Sequence, residues 1–313
     1  EEALIFADEG KFSQQILEIL AEDGIYVRPY EEVYEYISYA EDKKILIDRA
    51  RINYMLYRSI PDSAVKIEAQ NPSLLMKAVK NLTETDNLRS AHLKDGIAVT
   101  RFIYWLKKKM ESENKADEEP VTELSAAEYL LKCRQEQDGF LGPSFDTISA
   151  YGPNAAMMHY SATPESDTLL RREGMLLVDS GGQYYEGTTD ITRTIALGIV
   201  TPQMRKDFTL VLKGMLNLAN ARFLHGCTGL NLDILARGPL WEEYTDYRCG
   251  TGHGSGYLLN VHEAPNSIRW RHIPERNDMC VLEEGMVTSD EPGVYIEDGY
   301  GIRIENEIVC RKS

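Results

Sequence analysis

The sequence predicts an α+β protein, a small α/β unit followed by a larger domain of antiparallel hairpins covered by helices. Three observations carry this. Over the first seventy residues, short apolar runs alternate with helical patterns, the order that builds an α/β unit. At Asn71-Pro72 the pattern breaks, since proline disfavours helix in the residue before it and suits the first turn of a new one. Finally, GMLLVDSGGQYYEGTTDITRTI from Gly174 and GMVTSDEPGVYIEDGYGIRIENEI from Gly285 form a weak internal repeat: Gly-Met, an acidic residue five positions on, then a Tyr-containing hairpin. The domains expected are residues 1–72 and 73–313.

The first unit runs ALIFAD, SQQILEILAEDG, IYVRPY, EEVYEYISYA, KKILID, INYMLYRSI and AVKIEA. From Ser73 to about Glu111, Leu75, Val79 and Leu82, then Ala91, Ile97, Ala98, Phe102 and Leu106, recur at helical intervals and predict two amphipathic helices. MESENKADEEP reads as a solvated, charged link. A third helix is expected over Thr122–Gln137, with Ser125 and Glu128 at capping-box spacing and Gly139 as a stop. A fourth starts at Thr201-Pro202 and carries Phe208, Val211, Leu212, Met215, Leu218 and Ala219 on one face. Gly187 and Asp298-Gly299 are turn signals inside the two repeated stretches, so each stretch should bring its early and late carboxylates together across paired strands.

Composition narrows the function classes. The chain of 313 residues is 43% hydrophobic, enough for a full core, and its formal net charge of −16 argues against nucleic-acid or anionic-membrane partners. Five cysteines (Cys133, Cys227, Cys249, Cys280, Cys310) with no CxxC pair suit a reducing compartment. No apolar run approaches the roughly 20 residues of a membrane span, and no signal segment opens the chain, so a cytoplasmic location is expected. The chain opens at Glu1 and ends directly after a strand-like run, as a piece of a longer protein would.

The chemistry concentrates in Asp179, Asp190, His253, Glu291 and Glu305. Four carboxylates balance the charge of two divalent cations, and a neutral imidazole adds a nitrogen ligand. Singly, each has an ordinary explanation: a turn aspartate, a turn acid at Glu291-Pro292-Gly293, an exposed ion pair of Arg303 with Glu305 on an edge strand. Together they form a candidate binuclear site. Thr188, Thr189, Thr192 and Thr194 offer hydroxyls around Asp190, and the glycines of GTGHGSG allow close approach to His253. His159 and His262 read as structural or functional; His92, His225 and His272 receive no role.

MMHYSATPES, VDSGGQYYEGTTDITRT, GTGHGSGYLLNVHE, TSDEPGVY and GIRIENE, with KAVKNLTETDNLRSAHLKDG, closely resemble the Xaa-Pro aminopeptidases (aminopeptidase P, long form) of the M24 pita-bread metallopeptidases, over most of residues 73–310. The resemblance implies a curved antiparallel sheet with pseudo-twofold symmetry, covered by helices. It implies that residues 1–72 are part of a creatinase-type N-terminal domain, with a further N-terminal domain and a C-terminal extension outside this chain. It implies Asp190 and Glu305 as carboxylates bridging two ions, Asp179 as a chelator of one, and His253 with Glu291 as ligands of the other. Mn²⁺ is the usual metal, Co²⁺ or Zn²⁺ alternatives. A hydroxide between the ions would attack the bond before a penultimate proline, with Glu291 shuttling the proton, His159 and His262 contacting substrate, and Arg303 beside Glu305. Peptides with proline second are the implied partners, and a homodimer is an assembly the family allows. Two alternatives remain: a prolidase restricted to dipeptides and a non-catalytic binding module. One departure is visible: the family usually reads HGTGHG, and here Cys249 takes the first histidine's place.

Overall fold

The computed structural model describes residues 2–111, 119–273, 276 and 279–312. The chain divides into two compact units, Glu1–Ser73 and Leu74–Ser313. In the first, β1 (Ala3–Ala7) pairs in parallel with β2 (Ile25–Pro29) across α1 (Gln14–Glu22). After α2 (Glu32–Ser38), β3 (Lys44–Ile47) pairs in parallel with β4 (Val65–Glu68) across α3 (Tyr54–Ser59). Parallel strands need such crossovers, which is why the apolar runs and helical patterns alternate. Ser13 and Asn53 cap α1 and α3 by accepting from Ile16 N–H and Leu56 N–H.

α4 (Pro72–Ala78) opens on the proline, and α5 (Leu82–Glu111) follows as a 30-residue helix that buries Leu88, Ala91, Ala98, Phe102 and Leu106. α6 (Glu123–Gln135) starts one turn earlier than the expected box: its reciprocal cap is Thr122 with Ser125, not Ser125 with Glu128. Most of the charged link lies outside the described residues. α7 (Pro202–Ala219) begins as expected, its N-cap Thr201 accepting from Met204 N–H. α8 (Gly229–Trp241), which periodicity did not suggest, carries Pro239 and buries Leu232, Ala236 and Leu240 together with Asp233 and Arg237. Its polar buried residues blur the apolar stripe.

The repeated stretches become two nested hairpins of the same plan. In the first, β7 (Met175–Ser180) pairs antiparallel with β10 (Ile191–Ala196), and between them β8 (Gly182–Tyr184) pairs with β9 (Gly187–Thr188). β5 (Phe140–Pro143) and β6 (Ile148–Tyr151) extend it by pairing with β8 and β7. In the second, numbering after β11 (Gly252–His253) and β12 (Ser267–Ile268), β13 (Val287–Asp290) pairs with β16 (Asn306–Val309), enclosing β14 (Gly293–Ile296) and β15 (Tyr300–Arg303).

Every residue of β7 is buried, because the strand is covered on both faces. Leu176 and Val178 join Phe102, Leu106 and Leu130 in the core beneath α5 and α6, while Met175 joins Val211, Met215, Val294, Ile302 and Ile304. Strand alternation places Asp179 on the Met175 side. No helix among the described residues is long and apolar enough to cross a membrane.

Candidate metal centre

The two hairpin systems meet where β10 runs beside the segment joining β15 to β16. Thr194 Oγ1 donates to Arg303 O at 2.8 Å and accepts from Arg303 N–H at 3.1 Å, and Glu305 N–H donates to Thr192 O at 3.2 Å. The acids therefore come from strand ends facing one another. Glu291 and Glu305 flank the last pair of β13 and β16, Asp290 with Asn306, so the second hairpin places its carboxylates side by side as expected. The first is offset: Asp179 faces Thr192, and Asp190 lies just beyond the final pair, Ser180 with Ile191.

Ligand atoms of Asp190, His253 and Glu305 all lie within 4.8 Å of one another. His253 Nε2 is 3.4 Å from Asp190 Oδ2 and 3.4 Å from Glu291 Oε1. Ser289 supports two of the residues, its hydroxyl accepting from His253 N–H at 2.9 Å and donating to Glu291 Oε1 at 3.0 Å. Strand alternation, two residues apart, was the signal for Ser289. The ordinary alternative for Arg303 and Glu305, an exposed pair on an edge strand, does not apply, because they are 3% and 1% exposed. The Arg303 guanidinium donates to Asp179 Oδ2 at 2.5 Å, to Tyr295 OH at 2.7 Å and to Met158 O at 3.3 Å.

Burial raises Asp190 and Glu305 well above the usual carboxylate range, and the neighbouring acids add to it: Asp179, Glu291 and Glu307 for Asp190, and Asp190, Glu291 and Asp179 for Glu305. Burial also raises Glu291. Asp179 Oδ1 and Asp190 Oδ1 are buried without a hydrogen-bond partner among the described residues. Buried anionic oxygens that lack donors are costly, and a divalent cation relieves both the missing contact and the mutual repulsion. The hard, oxygen-rich donor set therefore fits divalent metal ions.

The threonines act differently from expectation. Thr192 Oγ1 donates to Glu305 Oε2 at 2.6 Å, whereas Thr188 and Thr189 bond within the hairpin, to Gln183 Oε1 and Gly182. His262 stacks edge-on against His253 with centroids 4.2 Å apart. Partial burial, then His253 and His159, bring its pKa down to about 4, so the ring is neutral near pH 7. His159 is exposed on the segment after β6, with Met158 O held by Arg303.

Two supports escaped the sequence reading. From α8, the fully buried Arg237 donates to Asp233 Oδ2 at 2.6 Å, Asp246 Oδ1 at 2.7 Å and Cys249 O at 2.6 Å. Asp233 Oδ1 in turn accepts from Thr251 Oγ1 at 2.5 Å, and Thr251 O accepts from Glu291 N–H at 2.8 Å. This network shapes the loop leading to His253. Burial pushes the Cys249 thiol up to about 11, so it is protonated at neutral pH. From α5, His92 Nε2 lies 2.9 Å from Glu307 Oε2 on β16, a role that no motif announced.

Comparison with known proteins follows the same lines. The model for metallopeptidase family M24 matches residues 86–312, and that for the creatinase/prolidase N-terminal domain matches residues 1–84. Relatives include a probable Xaa-Pro aminopeptidase P of Botryotinia fuckeliana, 39% identical over 99% of this chain and 48% of its own length. Xaa-Pro aminopeptidase 1 of Dictyostelium discoideum is likewise 39% identical over 99% of this chain and 48% of its own. The chain thus spans about half the length of the curated relatives it matches. Among solved structures, X-prolyl aminopeptidase from Caenorhabditis elegans, described as a cytosolic enzyme with a di-nuclear active site, aligns with a TM-score of 0.85 at 34% identity, covering 98% of this chain and 49% of that one. Prolidase from Pyrococcus furiosus shares the fold with a TM-score of 0.76 at 24% identity, over 100% of this chain and 85% of its own.

Proposed function

From its membership of metallopeptidase family M24, to which this chain belongs, we propose that the protein is a metal-dependent aminopeptidase removing the first residue from peptides with proline second. The observation that carries the hydrolytic part is the convergence of Asp190, His253 and Glu305 within 4.8 Å. The orphaned oxygens of Asp179 and Asp190 accompany it. Preference for proline rests on the relatives' activities.

In this reading two divalent ions would be held by these five residues, Asp190 and Glu305 serving both ions, Asp179 one, and His253 with Glu291 the other. Such a pair, when bound, acidifies a water and polarises a carbonyl; Mn²⁺ is the metal proposed, with Co²⁺ and Zn²⁺ compatible with the donors. Glu291 would accept a proton from the attacking water and return it to the leaving proline nitrogen. His262, neutral, donates a hydrogen bond to the developing oxyanion, and His159 orients the peptide from the exposed side. Arg303 orients Asp179, because it donates to Oδ2 and leaves Oδ1 without a partner among the described residues. A cytosolic setting, as described for the C. elegans relative, belongs to the same proposal.

The test is metal analysis of the purified chain, followed by hydrolysis of an Xaa-Pro-Xaa peptide before and after chelation, with an Xaa-Pro dipeptide alongside. Metal-dependent cleavage of the longer peptide is expected. Activity confined to the dipeptide would make the protein a prolidase, and neither metal nor rescue by added Mn²⁺ would make it a binding module.

A further inference from the structure

We infer that Glu123, a buried carboxylate outside the metal centre, is a positioning residue: it is the hub around which the segment carrying His159 is wound. Glu123 is 0% exposed and occupies the first position of α6, where the helix N-terminus favours negative charge. Four neutral groups donate to it: Tyr151 N–H at 2.6 Å, Asn154 Nδ2 at 3.1 Å to each oxygen, Tyr160 OH at 2.9 Å and Thr168 N–H at 3.2 Å. These donors lie at both ends and in the middle of residues 151–168. Tyr160, the neighbour of His159, buries its side chain on the hub, and Asn154 Nδ2 also reaches Tyr160 OH at 3.0 Å and Thr168 Oγ1 at 3.0 Å.

His159 thus lies between two neighbours that are each held, one by its backbone carbonyl and one by its side chain. On one side, Met158 O accepts from Arg303, which also binds Asp179; on the other, Tyr160 OH donates to Glu123. Backbone pairing fixes the two ends of the segment, through β6 at Tyr151 and through the Thr122–Leu169 bridge with Glu123 N–H donating to Thr168 O, but residues 152–167 contain one 3-10 turn, Gly152–Ala156, and no strand, so no ladder sets the path between. A carboxylate that accepts from several loop groups at once provides what a strand would supply by repeated pairing. The alternative, that Glu123 merely caps α6, leaves unexplained why its donors come from the loop and none from the helix's own first turn. The helix cap is made separately by Thr122 and Ser125.

This inference rests on the proposed role of His159, and the experiment separates the two. Hydrolysis of an Xaa-Pro-Xaa peptide is measured for the Mn²⁺-loaded chain and for E123Q, H159A and the double variant, together with metal content. E123Q is expected to lower kcat/KM by about 10²-fold, the scale of a displaced positioning group, with metal content unchanged. In the H159A background it should cost less than about twofold, since the group it positions is gone. Equal losses in both backgrounds, or near-normal turnover of E123Q, overturn the inference. A second readout does not need catalysis: in a histidine-labelled sample, with its resonance identified by loss in H159A, the His159 ring signal should shift or broaden in E123Q while that of His253 stays in place. An unmoved His159 signal overturns the inference even if H159A proves active, a result that would instead remove His159 from the proposed function. Should E123Q fail to fold, Y160F, which removes one donor, carries the same cycle and the same spectrum, with a smaller loss expected and no loss overturning the hub.

Discussion

Asp190 concentrates the residue-scale argument. It is buried, one oxygen is orphaned, and its proton affinity is raised first by burial and then by Asp179 and Glu291. Asp190→Asn should abolish peptide hydrolysis and lower metal content while leaving the thermal transition of the metal-free protein within a few degrees of wild type; near-normal turnover would refute the bridging role. Thr192→Val tests the support of Glu305, since its hydroxyl donates to Oε2 at 2.6 Å. Removal of such an outer partner typically costs 10–100-fold in metal affinity, measured here by titration with Mn²⁺, and unchanged affinity would make the hydroxyl incidental. Cys249 stands where the resemblance leads one to expect a histidine. Its neutral thiol is a weaker donor than an imidazole and carries no charge, so Cys249→His should raise kcat/KM for Xaa-Pro-Xaa peptides. No change would mean that the surrounding loop already compensates.

At the scale of elements, two contacts hold the strands that carry the acids. β11 approaches β13 so closely that a Cβ on Gly252 would lie 1.8 Å from Ser289 O. Gly252→Ala must therefore move one strand, costing roughly 1–3 kcal/mol and displacing His253 and Glu291 together, and a urea midpoint equal to wild type would show that the strands give way freely. Between α5 and β16, burial alone would lower the pKa of His92, but Glu307 outweighs it and lifts the ring to about 9. The folded value exceeds the unfolded one, near 6.5, so this contribution is fully present below about pH 6.5 and is lost as pH rises through about 9. Urea unfolding at pH 6.5 and 9.5 should show a decline on the order of 1–3 kcal/mol that is absent in His92→Gln. Equal slopes for the two proteins would remove His92 from the account. The sequence carried these elements unevenly. α7 was legible because its cap, proline and apolar face agree, whereas α8 was not, since Asp233 and Arg237 are buried as a mutual pair and read as surface positions.

For the whole molecule, the predicted link runs between metal and stability. Removing a divalent ion leaves four carboxylates crowded in a buried space with Arg303 as their close cation. Ligand present at a hundredfold excess over Kd stabilises the folded state by about 2.7 kcal/mol. Chelation should therefore lower Tm by several degrees and Mn²⁺ should restore it, with Asp190→Asn showing little response; a Tm indifferent to metal in the wild-type chain would argue against a built site. The sequence by itself determined the candidate ligands, their order, and the two repeated stretches. Charge count and strand period are local properties, and the motif residues could be matched one by one. Only the tertiary structure decided which atoms meet. It brought β10 beside the β15–β16 link, turned Arg303 onto Asp179, gave Thr192 to Glu305 instead of Asp190, and buried Glu123 under the His159 segment. Those choices depend on contacts between residues about 40 to 125 positions apart, and no periodicity within a strand or helix encodes a partner at that distance.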